Sequence, residues 1–241
     1  PPSRDFLGAL DARGVRLRPG PAGPAVGCLV SLERAVSESG VRLLYAMPSF
    51  QNPTGLTLGL EERHAFLEAA RRARLPVLED DLEGHQRYEG ESLPSLHALD
   101  REGRVIMAGS VSKALFPGLR VGWVAAPKAP AARLQALKRF ADLETAALPQ
   151  AALARIFASG AMAGPLERLA RRLRERRDLV VENLRRRMPE GCRWTVPQGG
   201  SALWLEFPPP VESRELAAAA RRAGLLVAPG FWDVHVHFRD P

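Results

Sequence analysis

Three short polar segments of this 241-residue chain carry the side chains best suited to chemistry. They are residues 51–55, residues 79–81 and residues 109–113, and the last is followed closely by a Pro-Gly-Leu-Arg run that ends at Arg120. Together they supply an amide, a carboxylate, two hydroxyls, an amine and a guanidinium. Lys113 is notable because it is one of only three lysines, the others being Lys128 and Lys138.

This set of groups suits a phosphorylated aromatic aldehyde. Hydroxyl donors and an arginine bind a phosphate, and a lysine amine forms a Schiff base with an aldehyde. A carboxylate beside the ring nitrogen keeps that nitrogen protonated and electron-withdrawing. Each of these residues also has an ordinary interpretation as a turn, capping or surface residue, so the sequence predicts a cofactor site but leaves that alternative open.

The predicted strands place these three segments at the same edge of a sheet. Short apolar runs at 41–46, 76–80, 105–109 and 121–126 predict four strands, and a helical pattern spans 60–74. The polar segments follow the first three strands, and ligands of open α/β sheets bind at the carboxyl ends of strands. We predict an α/β fold with a mostly parallel sheet flanked by helices.

The second half of the chain has a different pattern. Residues 129–187 are almost entirely helical in spacing, and short strands and one helix follow. We therefore predict a partial large domain over 1–150, a smaller α+β domain over 151–230 and an atypical tail over 231–241. A further helix is predicted over 29–39.

Composition excludes several classes of protein. With 46% hydrophobic and 25% charged residues, the chain can bury a core and is not disordered. No run of 18 apolar residues predicts a membrane span, and two cysteines do not form a disulfide scaffold, so we expect a cytoplasmic protein. The net charge is +7, and almost all of the 34 basic residues are arginines. Their densest runs lie in segments with a helical pattern and no interleaved aromatic residues, so no nucleic-acid partner is expected.

Three motifs resemble those of the fold-type I pyridoxal-phosphate aminotransferases of class I/II. They are Asn-Pro-Thr-Gly at 52–55, Glu-Asp-Asp at 79–81, and the run from Ser110 through Ser112-Lys113 to Pro117-Gly-Leu-Arg120-x-Gly122. The resemblance is strongest to the branch that contains 2-aminoadipate aminotransferases and the aminotransferase-like domain of MocR/GntR regulators. Residues 197–204 are similar to a small-domain strand of that family.

The resemblance implies a role for each site residue. Lys113 would bind the pyridoxal 5'-phosphate aldehyde as a Schiff base and shuttle the substrate proton, Asp80 would pair with the pyridinium nitrogen, and Asn52 would bond the phenolic oxygen. Three residues would bind the phosphate: Ser110, Ser112 and Arg120. The reaction would be amino-group transfer between an amino acid and a 2-oxo acid in a homodimer. The alternatives are a cofactor-sensing effector domain of a MocR-type regulator and an inactive remnant.

Two departures from the family pattern bear on the cofactor. The family places a tyrosine two or three residues after the pyridinium-pairing aspartate, where this chain has Leu82 and Glu83, and Tyr88 lies farther along. The family also has a preceding stretch with a glycine-rich helix start that binds phosphate. Residues 1–40 contain no such start, so we expect an N-terminally truncated enzyme that binds its cofactor weakly.

The tail resembles a second family. Residues 229–241 are similar to the first metal-binding strand of dihydroorotase-type amidohydrolases, in which two histidines ligate zinc and an arginine holds a carboxylate. Alternation places His235 and His237 on one strand face. Two ligands do not make a catalytic zinc site, so we predict no metal. We expect the tail to be a junction between two genes or a diverged aminotransferase end in which Arg239 binds the substrate carboxylate. A working metal site of an amidohydrolase fragment is the remaining alternative, and it rests on this tail alone.

Overall fold

The computed structural model describes residues 4–17, 40–115, 117–224, 227–229 and 234–237. The helix predicted over 29–39 and the predicted substrate ligand Arg239 lie outside this range. A first helix, α1, spans Arg4–Asp11.

The first sheet has four strands in sequential order. β1, β2 and β3 are parallel, with Tyr45 opposite Leu78 and Asp80 opposite Ala108. Their carboxyl ends therefore lie at one edge of the sheet, as the sequence predicts. The strand bounds are β1 Leu44–Ala46, β2 Val77–Asp80, β3 Val105–Ser110 and β4 Gly122–Ala125.

β4 differs from the parallel arrangement because it runs antiparallel to β3, with Ser110 opposite Gly122. The connection between them contains a 3₁₀ turn at Pro117–Leu119 and is too short for the helical crossover that a parallel strand requires. The chain therefore returns directly along β3. This return brings residues 120–122 beside the end of β3.

Among the described residues, the helices beside this sheet are α2 over Leu60–Arg72 and the one-turn α3 over Leu96–Leu99. The Glu62 carboxylate accepts a hydrogen bond from the Gly59 amide at 2.6 Å, which caps the first turn of α2. The core beneath them contains the fully buried Val77, Leu96 and Val105. Burying each such side chain contributes about 1.5–3 kcal/mol, so this core fixes the strand positions.

The predicted helical region consists of three helices, α4 over Lys128–Ala141, α5 over Ala147–Ala158 and α6 over Ala163–Arg187. Leu143 and Gly160, both with positive φ, lie in the breaks between them. The basic residues of α6 are mostly exposed, as expected of a solvated face. Arg177 is the exception, since only 3% of its side chain is accessible.

The second sheet is antiparallel, in the order β5-β6-β8-β7. Leu203 and Leu205 of this sheet pack against Val181 of α6. β8 pairs with both β6 and β7, so part of the predicted tail belongs to this sheet. The elements are β5 Arg193–Trp194, β6 Ala202–Glu206, α7 Ser213–Arg222, β7 Val227–Pro229 and β8 Val234–His237.

Within the described ranges, no helix has both the length and the apolar character needed to cross a membrane.

Candidate cofactor site

Asp80 is the last residue of β2, and two groups fix its carboxylate. The Tyr45 hydroxyl donates to Oδ2 at 2.5 Å, and the Leu82 amide donates to Oδ1 at 3.2 Å. Burial, followed by the hydrogen bond to Asp80, raises the pKa of Tyr45, so its phenol stays a protonated donor. The carboxylate of Asp80 is thus held in one direction at the edge of the sheet.

Glu79 and Asp81, on either side of Asp80, have different contacts from it. Glu79 is fully buried and accepts hydrogen bonds from the amides of Leu96 and His97 at 2.7 and 2.8 Å, so it binds the start of α3. Burial and, to a smaller extent, the negative charge of Glu79 together raise the pKa of Asp81 to about 6. Asp80 is therefore the member of this acidic triplet that a tyrosine aligns at the strand end.

The two predicted phosphate-binding serines contact each other after β3. Ser110 Oγ lies 2.9 Å from Ser112 Oγ, donates to the Val121 carbonyl at 2.9 Å and accepts from the Ser112 amide at 3.1 Å. The bond to Val121 depends on the antiparallel return of β4. This turn therefore presents a pair of hydroxyls at a fixed spacing.

Lys113 follows this hydroxyl pair. Its ammonium lies 3.7 Å from Glu83 Oε1, and its side chain is 49% exposed whereas that of Glu83 is 4% exposed. The side-chain amide of Gln86 donates from Nε2 to the Lys113 backbone carbonyl at 3.3 Å. The backbone of Lys113 is thus tied to the segment after β2, while its amine is open to an incoming molecule.

Asn52 lies half-buried in the loop after β1, before a cis bond to Pro53. The Gly55 amide donates to the Gln51 carbonyl at 2.6 Å and closes this loop. Arg63 of α2, which is 1% exposed, holds the start of the loop through the Pro48 carbonyl at 3.1 Å. Its other partners are Ser49 Oγ, the Leu58 carbonyl and the Pro94 carbonyl.

The turn before β6 packs onto this loop. A Cβ on Gly199 or Gly200 would overlap the Phe50 side chain, so glycine is required where the turn crosses it, and Gly200 has φ of +73°. The Gly200 amide donates to the Gln86 carbonyl at 3.0 Å, and Thr195 Oγ1 donates to the Thr54 carbonyl at 2.7 Å. The second sheet thus helps to fix the Asn52 loop.

Arg120 is exposed, adopts φ of +50° and lies two residues before the start of β4. It lies two residues from Gly122, the partner of Ser110. Arg239 lies outside the described residues. His235 and His237 occupy alternate positions of β8, and the described ranges contain no group of three or more metal-ligating side chains.

The structure thus places Asp80, Ser110, Ser112 and Lys113 at one edge of the first sheet, with the Asn52 loop joined to that edge through Phe50 and Gly200. An aligned carboxylate, a hydroxyl pair and an open amine fit the ring nitrogen, phosphate and aldehyde of pyridoxal phosphate. The sequence did not predict Tyr45 or Glu83, nor Ser201, whose hydroxyl lies 3.2 Å from Glu83 Oε1. Tyr45 carried one signal, a phenol inside the otherwise mostly apolar run 41–46.

The family model for aminotransferase class I and II matches residues 29–233. The chain belongs to this family. It is 36% identical over 232 residues to the 2-aminoadipate transaminase of Thermus thermophilus, covering 93% of this chain and 58% of that protein. It is 33% identical over 228 residues to YisV of Bacillus subtilis, an uncharacterized HTH-type transcriptional regulator, covering 93% of this chain and 46% of that protein.

Solved structures of this family have the same fold. The crystal structure of LysN, the α-aminoadipate aminotransferase of Thermus thermophilus, complexed with N-(5'-phosphopyridoxyl)-L-leucine, matches with a TM-score of 0.81 and 33% identity. The match covers 87% of this chain and 57% of that one. The chain therefore spans about half the length of the relatives that it matches.

Proposed function

We propose that this chain is the part of a pyridoxal-phosphate-dependent aminotransferase that supplies the reactive lysine. The observation that carries the proposal is the position of Lys113 in a member of this family. It directly follows the Ser110–Ser112 hydroxyl pair, at the sheet edge where Tyr45 aligns Asp80. These groups match the three polar parts of the cofactor in chemical type.

Each site residue then has a defined role. Bound pyridoxal phosphate supplies an aldehyde and an electron-withdrawing ring. Lys113 Nζ provides the amine and moves the proton of the substrate α-carbon, and Asp80 holds the proton of the ring nitrogen. Asn52 donates to the phenolic oxygen. The phosphate is bound by the remaining three residues: Ser110, Ser112 and Arg120.

The reaction that we propose transfers an amino group between an amino acid and a 2-oxo acid, in the cytoplasm and in a homodimer. Arg239 is the proposed ligand of the substrate carboxylate. We also propose the division into a partial large domain (1–150) and a small domain (151–230). The two separate sheets support this division, and β8 adds part of the 231–241 tail to the second sheet.

A second candidate is the effector domain of a MocR-type regulator, favoured by the 33% identity to YisV over 93% of this chain. Such a domain would use the same lysine and cofactor for sensing instead of turnover. Both candidates therefore predict cofactor binding, and they differ in what an added amino acid does.

Absorbance spectroscopy tests both candidates on the purified chain. Adding pyridoxal phosphate is expected to produce the visible band of lysine-bound cofactor, which Lys113→Ala abolishes. For an aminotransferase, adding 2-aminoadipate or another amino acid bleaches this band and releases the 2-oxo acid, which mass spectrometry detects. A band that bleaches with no 2-oxo acid would favour the regulator, and a band equally strong in Lys113→Ala would refute both.

A further inference from the structure

Glu83 is a buried carboxylate with no task in the proposed reaction. Only 4% of its side chain is exposed. Two different parts of the chain contact it: Lys113, after β3, and Ser201, directly before β6. A buried carboxylate is costly unless it is paired and hydrogen-bonded, and Lys113 and Ser201 supply an ion-pair partner and hydrogen-bond donors.

Ser201 fixes the direction of this carboxylate. Its amide donates to Glu83 Oε2 at 3.2 Å, and its hydroxyl lies 3.2 Å from Oε1. Gly200 packs closely beside the same carboxylate, since a Cβ there would lie 3.0 Å from Oε2. The second sheet therefore sets the position of Glu83 independently of Lys113.

Lys113 is the mobile partner in this arrangement. Its side chain is half-exposed, and its ammonium lies 3.7 Å from Glu83 Oε1. A long, half-exposed side chain has many rotamers, whereas the carboxylate has one fixed position. The ion pair thus directs the lysine amine toward Glu83.

We propose that Glu83 is a positioning residue that holds the Lys113 amine by an ion pair, with Ser201 as its anchor on the second sheet. The inference rests on the proposed function in taking Lys113 as the reactive amine. Placement of that amine then depends on the contact between the 83–86 segment and the turn before β6. In the chain without cofactor, a Lys113 amine engaged with the carboxylate reacts more slowly with an added acylating reagent than a released amine does.

Acylation of the three lysines in the chain without cofactor tests this role. The chain is treated with N-hydroxysuccinimidyl acetate, and mass spectrometry gives the labelling rate of Lys113 relative to the exposed Lys128. Glu83→Gln removes the charge but keeps the size and an acceptor for Ser201. It is expected to raise this ratio about fivefold, the effect of losing one ion pair.

Lys138 provides a matched control. Its ammonium lies 2.7 Å from Asp142, closer than Lys113 lies to Glu83, but both side chains are about half-exposed. Solvent and salt screen such a pair, so Asp142→Asn is expected to change Lys138 labelling less than about twofold. The positioning role therefore predicts a larger change in labelling for Lys113 in Glu83→Gln than for Lys138 in Asp142→Asn, although the Lys113–Glu83 distance is the longer one.

Ser201→Ala tests the anchor and also serves if Glu83→Gln does not fold. It is expected to raise the Lys113 ratio by a smaller amount, because the Ser201 amide still holds Glu83. An unchanged ratio in folded Glu83→Gln, or in Ser201→Ala when the first variant does not fold, would overturn the inference. Because no cofactor is present, a failure to bind pyridoxal phosphate would count against the proposed function and leave this result intact.

Discussion

The Tyr45 hydroxyl donates to the Asp80 carboxylate across two neighbouring parallel strands, at 2.5 Å. Tyr45 is the middle residue of β1 and Asp80 ends β2, so the strand register places the phenol beside the acid. This bond aligns the half-buried Asp80 carboxylate at the end of β2. The carboxylate that we assign to the cofactor ring is therefore set by the sheet itself.

Removing this hydroxyl is expected to weaken both the fold and the site. Tyr45→Phe leaves Asp80 Oδ2 without its donor and costs about 1–2 kcal/mol of unfolding free energy, measured by urea denaturation. The affinity for pyridoxal phosphate, measured by absorbance titration, falls several-fold. Tyr88→Phe is the control, because the ring of Tyr88 keeps its contact with the Arg177 guanidinium, 5.2 Å away. Equal losses of cofactor affinity in the two variants would show that Tyr45 does not act through Asp80.

Asp81 is expected to make the chain less stable as pH rises from about 4 to 6. Its pKa is raised from 3.8 to about 6, chiefly by burial, so the folded state retains a proton that the unfolded state has already released. The contribution of protonated Asp81 to the free energy of unfolding is fully present below about pH 4 and is lost as the pH rises through about 6. Allowing for partial exposure, the loss is on the order of 1–2 kcal/mol.

Asp81→Asn stays neutral at every pH and is expected to lose this dependence. Urea denaturation at pH 4 should give it the stability of the parent chain, and at pH 7 a higher one. The charged groups that act on Asp81 are present in both proteins, so they do not cause a difference between them: Arg63, Glu79 and Asp80. A parallel decline of both chains between these pH values would contradict the assignment to Asp81.

Arg177 is expected to be the most important arginine of α6 for stability. It bonds both oxygens of Glu89, at 2.7 and 3.0 Å, and the Pro197 carbonyl at 2.7 Å, so it joins α6 to residues near both sheets. Arg177→Met removes the buried partner of the partly exposed Glu89 and leaves the Pro197 carbonyl without this donor, at a cost of about 2–3 kcal/mol. Thermal and urea unfolding measure this loss.

The neighbouring Arg174 is the matched control for that experiment. It pairs with the same Glu89 oxygen at 3.4 Å, but 55% of its side chain is exposed. Arg174→Met is therefore expected to cost less than about 1 kcal/mol. Similar losses in the two variants would mean that burial does not decide the contribution of these pairs.

Much of this architecture is predictable from local pattern. The runs 76–80 and 105–109 become β2 and β3 to within one residue, because short apolar runs between polar turns have few alternatives. The site segments Glu79–Asp81 and Ser110–Lys113 follow from those strand ends. The antiparallel β4 was less predictable, although the short connection after Ser110 does not suit a crossover.

The contacts that complete the site depend on tertiary packing and could not be predicted. Glu83 and Ser201 are separated by 118 residues, and no local pattern relates them. The burial of Arg177 in a helix of exposed arginines likewise depends on Glu89, 88 residues away. Such pairings form only when the two sheets meet.

Reductive trapping of the cofactor tests the central claim most directly. The chain is incubated with pyridoxal phosphate, reduced with borohydride, digested and mapped by mass spectrometry. We predict one major phosphopyridoxyl adduct, on Lys113, with little at Lys128 or Lys138, and its loss in Lys113→Ala. Equal modification of all three lysines, or an adduct on another lysine that persists in Lys113→Ala, would contradict the assignment of Lys113 as the cofactor-binding lysine.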